Sequence, residues 1–212
     1  MLLAFDTATP AITVAVHDGD RVVAETSTVD AMRHGELLAP GIDAVLREAG
    51  IVRADLTGIA VGVGPGPFTG LRVGLVTART LAAVLRIPVH GVCTLDVLAA
   101  EAVAAGLVDG PFHVATDARR KEVYWATYDA EGRRTDGPVV VRPADVATDA
   151  PVVGRGPVLY ADSFPRGLAP EHPRAGVLAE VVHTKQVTVL DPEPLYLRRP
   201  DAVAPGKPKR VS

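Results

Sequence analysis

The 212-residue chain has one cysteine, Cys93, so no disulfide can close within it, and a reducing compartment fits. Aromatic residues are scarce at 4%, which argues against base-stacking platforms. Neither sign of charge dominates. A formal net charge of −3 gives no field that would draw in nucleic acid, so no strong direct nucleic-acid binding is expected. No uncharged apolar run reaches the roughly 18 residues of a membrane-spanning helix. Asp6 interrupts the first apolar run, which argues against a secretory signal. A soluble, cytoplasmic protein is expected. Hydrophobic residues make up 48% of it, ample for one large domain or two small ones.

What is present centres on the stretch Val61 to Gly74, Val-Gly-Val-Gly-Pro-Gly-Pro-Phe-Thr-Gly-Leu-Arg-Val-Gly. The apolar run before it, 58–63, reads as a buried strand. Glycines and prolines then prohibit regular structure, and Thr69 is expected to cap a helix running from near Gly70 to about Leu85. Strand, glycine loop and helix N-terminus in that order present backbone N–H groups, the physics of an anion site. Asp6, Thr7, Gly64, Gly66 and Thr69 are therefore candidates for a vestigial nucleotide or phosphate site. Two readings stay open. The P-loop pattern requires a lysine and a hydroxyl that are missing after Gly70, and Pro65 and Pro67 remove N–H donors, so the stretch also reads as a rigid corner.

Along the rest of the chain, 2–5, 11–16 and 21–27 read as an antiparallel meander. Leu38, Ile42, Val45, Leu46 and Ala49 fall on one face of a helix stopped by Gly50. On the helix after the glycine loop, Arg72, Arg79 and Arg86 form a narrow stripe. Leu71, Leu75, Ala82 and Leu85 lie on one flank of that stripe, and Val73, Val76, Thr80 and Val84 on the other. A helix apolar on two flanks calls for two neighbours. A strand at 88–92 and a helix at 95–105 complete an α/β plan.

The second half restarts with strands at 112–116 and 123–128. Asp117 precedes Val123 by the same six positions that separate Asp6 from Ile12, a weak internal repeat. After Pro138 the chain breaks into short pieces. The expected organisation is a lobe over 1–107, a smaller lobe over 108–204 and a disordered tail over 205–212 that carries Lys207, Lys209 and Arg210.

Nucleophile and metal patterns are missing. There is no Gly-x-Ser-x-Gly elbow and no His-x-x-x-His, and Cys93 at a strand end reads as a small buried side chain. His34 and Glu36, two apart, point away from each other on a helix and read as first-turn groups. No catalytic residue and no metal ligand is assigned.

Five segments together, 5–9 (Phe-Asp-Thr-Ala-Thr), 33–40 (Arg-His-Gly-Glu-Leu-Leu-Ala-Pro), 64–74, 116–124 (Thr-Asp-Ala-Arg-Arg-Lys-Glu-Val-Tyr) and 195–198 (Leu-Tyr-Leu-Arg), closely resemble the bacterial TsaB (YeaZ) family over nearly the whole chain. The resemblance implies an actin/Hsp70-like (ASKHA) pair of ribonuclease-H-like lobes, the second one reduced. It implies a non-catalytic role in forming threonylcarbamoyladenosine beside the tRNA anticodon, as heterodimer partner of the catalytic paralogue TsaD, with the ATPase TsaE joining them. A homodimer is implied when TsaD is absent. The paralogue carries a histidine pair where Thr94 and Leu98 stand here. The interface residues it implies are Leu38, Ile42 and Val45 on the first helix and Leu71, Arg72, Leu75, Val76 and Arg79 on the second. No cofactor is required by this chain, and ATP or ADP would sit at the complex interface. Asp117-Ala-Arg-Arg-Lys121 lacks the small residues of a phosphate-embracing hairpin, and its bases read as a partner contact, as a brace of the lobe through Glu122 and nearby acids, or as a solvated turn. The alternative function is an actin-fold ATPase or small-molecule kinase resting on Asp6 and the Gly64–Gly66 loop.

Overall fold

β1 (Leu2–Asp6) is the middle strand of the first of two sheets in the computed structural model, which describes residues 1–198. It pairs antiparallel with β2 (Ala11–His17) and parallel with β4 (Gly58–Gly62). With β3 (Val22–Val29) and β5 (Val89–Val92) at the edges, the strand order is β3-β2-β1-β4-β5. Strand alternation sorts the side chains. Leu3, Phe5, Ile12, Val14 and Val16 face α1 (His34–Glu48) and α2 (Phe68–Leu85), where the largest core lies. Ala4, Ala15 and Ala60 face the other way, and their small size lets α5 (Ala175–His183) lie close.

The second sheet contains β6 (Phe112–Asp117), β7 (Val123–Tyr128), β8 (Arg134–Val141), β9 (Val152–Val153) and β10 (Gly167–Leu168), in the order β10-β9-β6-β7-β8. Here too the first three strands are antiparallel and the last two parallel. Both sheets therefore run third, second, first, fourth, fifth. That is the ribonuclease-H-like plan twice over, the actin/Hsp70-like class expected, and the second copy is reduced because β9 and β10 are only two residues each. A short helix, α4 (Gly156–Leu159), lies between them.

Helices cross the boundary expected at 107. α3 (Thr94–Ala104) belongs to the first segment, yet Leu95, Leu98, Ala99 and Ala102 pack with Phe112, Val114 and Tyr128 of the second sheet. Its Val97 meets Leu178 and Ala179 of α5, which returns from the C-terminal half to cover the first sheet. The boundary thus separates the sheets but not the packing units. The tail expected at 205–212 lies outside the described residues, as do 199–204 of the expected second lobe.

The helix starts differ from expectation. α2 begins at Phe68 behind Pro67, and no side-chain hydrogen bond caps it, so Thr69 is a first-turn residue and not its cap. Pro40 sits inside α1 on its exposed side. By length and composition α2 would pass for a membrane span. Its inward arc (Gly70, Leu71, Gly74, Leu75, Ala78, Ala82) is buried on the sheet, and its outer side carries Arg72 and Arg79.

Candidate functional site

The glycine corner is filled by the chain itself. Asp6 is fully buried. Its Oδ1 accepts the Ala8 N–H at 2.7 Å and its Oδ2 the Thr94 hydroxyl at 2.7 Å. Burial raises its carboxyl above the usual carboxylate range, with both hydrogen bonds pulling the other way. A Cβ on Gly62 would stand 1.9 Å from Asp6 Oδ2, and one on Gly66 2.2 Å from the Ala8 carbonyl. The Thr7 hydroxyl donates to the Gly70 carbonyl at 2.8 Å. These glycines are needed because β1's turn and the start of α2 approach so closely, not because a ligand does. Asp6, Thr7, Gly64 and Gly66 are buried, and Thr69 stands exposed beside them. The five candidates are therefore brought together, but as a closed corner and not as an open anion cradle.

The second aspartate repeats the first. Asp117 Oδ1 accepts the Arg119 N–H at 2.7 Å, two residues on, as Asp6 does from Ala8. Between the two turns, Ala8, Thr9 and Pro10 face Thr116, Asp117, Arg155, Glu171 and His172 across a cavity of about 10 Å³. That is room for one water. A pocket for a drug-sized ligand runs from roughly 300 Å³ upward. Between these two turns the gap is shut.

The other reactive groups singled out in the sequence form no reaction centre together. Burial pushes the Cys93 thiol up to about 12, so it is not a thiolate nucleophile. His34 Nε2 lies 2.8 Å from the Thr9 carbonyl while Glu36 points to solvent, so the two do not form an acid–base pair. Thr94 is held by Asp6, and Leu98 is sealed in the second core. Among the described residues no group of three or more His, Cys, Asp or Glu side chains is placed to hold a metal ion.

The expected interface residues divide. Leu38, Ile42, Val45, Leu71 and Leu75 are at most 3% exposed and belong to the first lobe's own core, so they cannot meet a partner. The correction has a simple cause: one apolar flank of each helix is consumed by the sheet. Val76 is 62% exposed and Val84 75%. With the exposed Thr80 they form an outward flank that nothing in the described structure covers, whereas the half-buried Val73 packs against the first core. The arginine stripe between the flanks is also occupied. Arg72 lies 3.5 Å over the Phe68 ring and donates to the Tyr196 hydroxyl at 3.0 Å, and Arg79 pairs with Glu193 at 2.8 Å.

Those contacts belong to a strap that the sequence reading missed. Leu190 bridges to Gly91, and the Leu195 N–H donates to the Val63 carbonyl at 2.9 Å. Arg198 then reaches the second lobe, donating to the Ala118 carbonyl at 3.1 Å and pairing with Glu122. The strap makes few contacts of the periodic kind, so only its place in the 195–198 motif marked it.

The fold and corner can now be set beside known proteins. A sequence model of the family TsaD, tRNA N6-adenosine threonylcarbamoyltransferase, matches residues 22–164. An uncharacterized Mycobacterium tuberculosis protein is 44% identical over 95% of this chain and 93% of its own length. The tRNA threonylcarbamoyladenosine biosynthesis protein TsaB of Bacillus subtilis is 35% identical over 60% of this chain and 54% of its own length, and that of Escherichia coli 37% over 60% and 54%. The solved YeaZ structure from Pseudomonas aeruginosa superposes with a TM-score of 0.77 at 31% identity, covering 92% of this chain and 99% of that one. A chain so similar in sequence along most of its length, and built on the same two lobes, belongs to the TsaB (YeaZ) family.

Proposed function

We propose that this protein is a non-catalytic subunit in tRNA threonylcarbamoyladenosine biosynthesis. It docks on a TsaD-type transferase through the outward flank of α2, holds that partner in its competent conformation and helps recruit the ATPase TsaE. The observation that carries the reading is the uncovered flank of Val76, Thr80 and Val84. An apolar flank on an otherwise packed helix is a surface for a partner. The space between the two aspartate turns holds about one water, and Cys93 is buried with its thiol pushed up, so the proposed role uses neither as a reaction centre. The mechanism is a population shift: contact with one transferase conformation and not another changes their ratio. With TsaD absent, two copies would cover the same flank in a homodimer. Nucleotide, where the complex uses it, would lie at the subunit interface and not between these lobes. The site of action would be the cytoplasm.

Two measurements test this. Isolated chain and TsaD should co-elute, and the Val76→Glu chain should not. Titration of the isolated chain with magnesium ATP should give no heat. Micromolar affinity with turnover would instead favour the actin-fold kinase.

A further inference from the structure

Each of the two sheets ends in two edge strands, and three of these four edges are blocked. An unpaired edge presents a row of free N–H and C=O groups that any extended chain can join, so folded proteins blunt it. β5 is covered by the strap, where Gly91 and Leu190 exchange both backbone hydrogen bonds, at 3.0 and 2.8 Å. β8 carries Pro138, which has no N–H, and Asp136, and its register shifts twice against β7. β10 is two residues long.

β3 has none of these protections. It runs for eight residues, Val-Val-Ala-Glu-Thr-Ser-Thr-Val, without proline, lysine or arginine, and Ser27, Thr28 and Val29 are exposed. Its single charge, Glu25, is turned toward α5, where it accepts the Gly176 N–H at 2.9 Å and pairs with Arg174. The register with β2 shifts only at Val16 and His17, so β3 is regular from Ala24 onward. The ladder itself says which backbone groups are free. The Asp30 N–H donates to the Pro10 carbonyl at 2.8 Å, and antiparallel bonding alternates along a strand. Thr28, Thr26 and Ala24 therefore bond inward to β2. Val29, Ser27 and Glu25 turn their N–H and C=O groups outward, and among the described residues no backbone partner meets them.

That outward row is self-complementary. Two copies laid antiparallel with Ser27 on the two-fold axis set Glu25 opposite Val29 and Ser27 opposite Ser27, so outward groups meet outward groups. Between them Thr26 falls opposite Thr28, a favourable cross-strand pair, and no like charges stand opposite each other in this stretch. Val29, 64% exposed, gains cover. The same patch serves both copies, as a two-fold interface requires.

We propose that β3 is a strand-pairing edge for a second copy of this chain, joining the two first sheets into one continuous sheet. The pairing uses no residue of α2, so a copy held through β3 keeps its α2 flank free for a different partner. Strand pairing and TsaD docking are thus independent.

The test is sedimentation velocity on the full chain carrying Val76→Glu, which removes a dimer through α2. This background should still form a weak dimer, with a dissociation constant on the order of 10–100 μM, because one strand pair buries less than a standard interface. Adding Ser27→Lys should weaken it at least about tenfold, since two like charges then meet on the axis, and adding Ser27→Glu should do the same. Mixing the lysine and glutamate chains should restore the dimer, a result that requires the two positions 27 to face each other. Each variant should melt within about 2 °C of the background, as exposed substitutions do. Amide exchange in the background chain checks the edge without altering it: Glu25, Ser27 and Val29 should gain protection as concentration rises. A background chain that stays monomeric at about 500 μM overturns the proposal, given the affinity expected. So do unchanged exchange at those three amides, a Ser27→Lys chain that still dimerises, and a mixture that stays monomeric. Co-elution with TsaD is read separately on chains with native Val76. Its loss in Ser27→Lys alone would make β3 a surface for that partner and overturn self-pairing. If the native chain never co-elutes with TsaD, the functional reading fails and the strand pairing stands.

Discussion

Val76→Glu is the sharpest probe of the partner surface, because Val76 and its neighbour Leu75 differ in burial and hardly at all in chemistry. Val76 is 62% exposed and Leu75 3%. Covering the exposed part of Val76 at about 25 cal/mol per Å² is worth roughly 1 kcal/mol, so Val76→Ala should weaken TsaD binding about fivefold. Glutamate there loses that contribution and adds a desolvated, unpaired carboxylate, together at least about 3 kcal/mol, or more than a hundredfold. Arg72 and Arg79 lie within helical reach of position 76, and an i,i+3 or i,i+4 pair returns only about 0.3–0.5 kcal/mol. Both are also already engaged, by Tyr196 and Glu193. Folding of the isolated chain should change by no more than about 0.5 kcal/mol, as for other exposed substitutions. Leu75→Asp should behave in the opposite way: it buries a charge in the first core and loses the folded monomer before any binding can be judged. Calorimetric titration with TsaD, alongside thermal melting of each variant, separates these outcomes. Val76→Glu and Val84→Glu chains that both bind within threefold of native would refute the assignment of this flank.

Three further outcomes follow from the interior. Burial lifts the Glu101 carboxyl to about 7, Arg174 lowering it and Glu25 raising it, and its Oε2 has no hydrogen-bond partner among the described residues. A carboxyl raised on folding favours the protonated form, so its contribution is intact below about pH 4.5 and is lost as pH rises to about 7. Allowing for partial solvation, that loss is about 1–2 kcal/mol, and Glu101→Gln should remove it, as read by urea unfolding at pH 5 and pH 8. Gly62→Ala should lower the melting temperature by at least about 4 °C, because the new methyl collides with the doubly bonded Asp6 carboxylate. Asp96→Ala should destabilise by about 2–4 kcal/mol in denaturant titration. It strands the Tyr128 hydroxyl, which donates to Asp96 at 2.8 Å, and the Arg134 guanidinium at 3.1 Å.

Periodicity and turn chemistry made most strands and the first three helices legible, and α1 and α2 each bury one face against the first sheet. The same reasoning placed apolar residues on both flanks of α2 and could not say which flank the sheet takes. Burial depends on where α1 and the sheet lie, so Leu71 and Leu75 were assigned to a partner they never meet. α5 escaped notice among prolines and glycines, although Ala175, Leu178, Ala179 and Val182 follow helical spacing. Its function as the rear cover of the first sheet is a long-range fact that no local window contains. At the glycine corner the residue types suited both an anion site and a rigid corner, and the structure packs Asp6 and the Ala8 carbonyl against the glycines. A glycine needed for close approach looks the same in sequence whether a phosphate or the chain's own Asp6 does the approaching.

The crossing of α3 and α5 between the halves has a mechanical meaning. Two-lobed machines that grip and release need a hinge along which the jaws can part. Here each jaw is fastened with a helix borrowed from the other's stretch of chain, α3 under the second sheet and α5 behind the first. Cutting the polypeptide near residue 107 would give two fragments, neither able to seal its own interior.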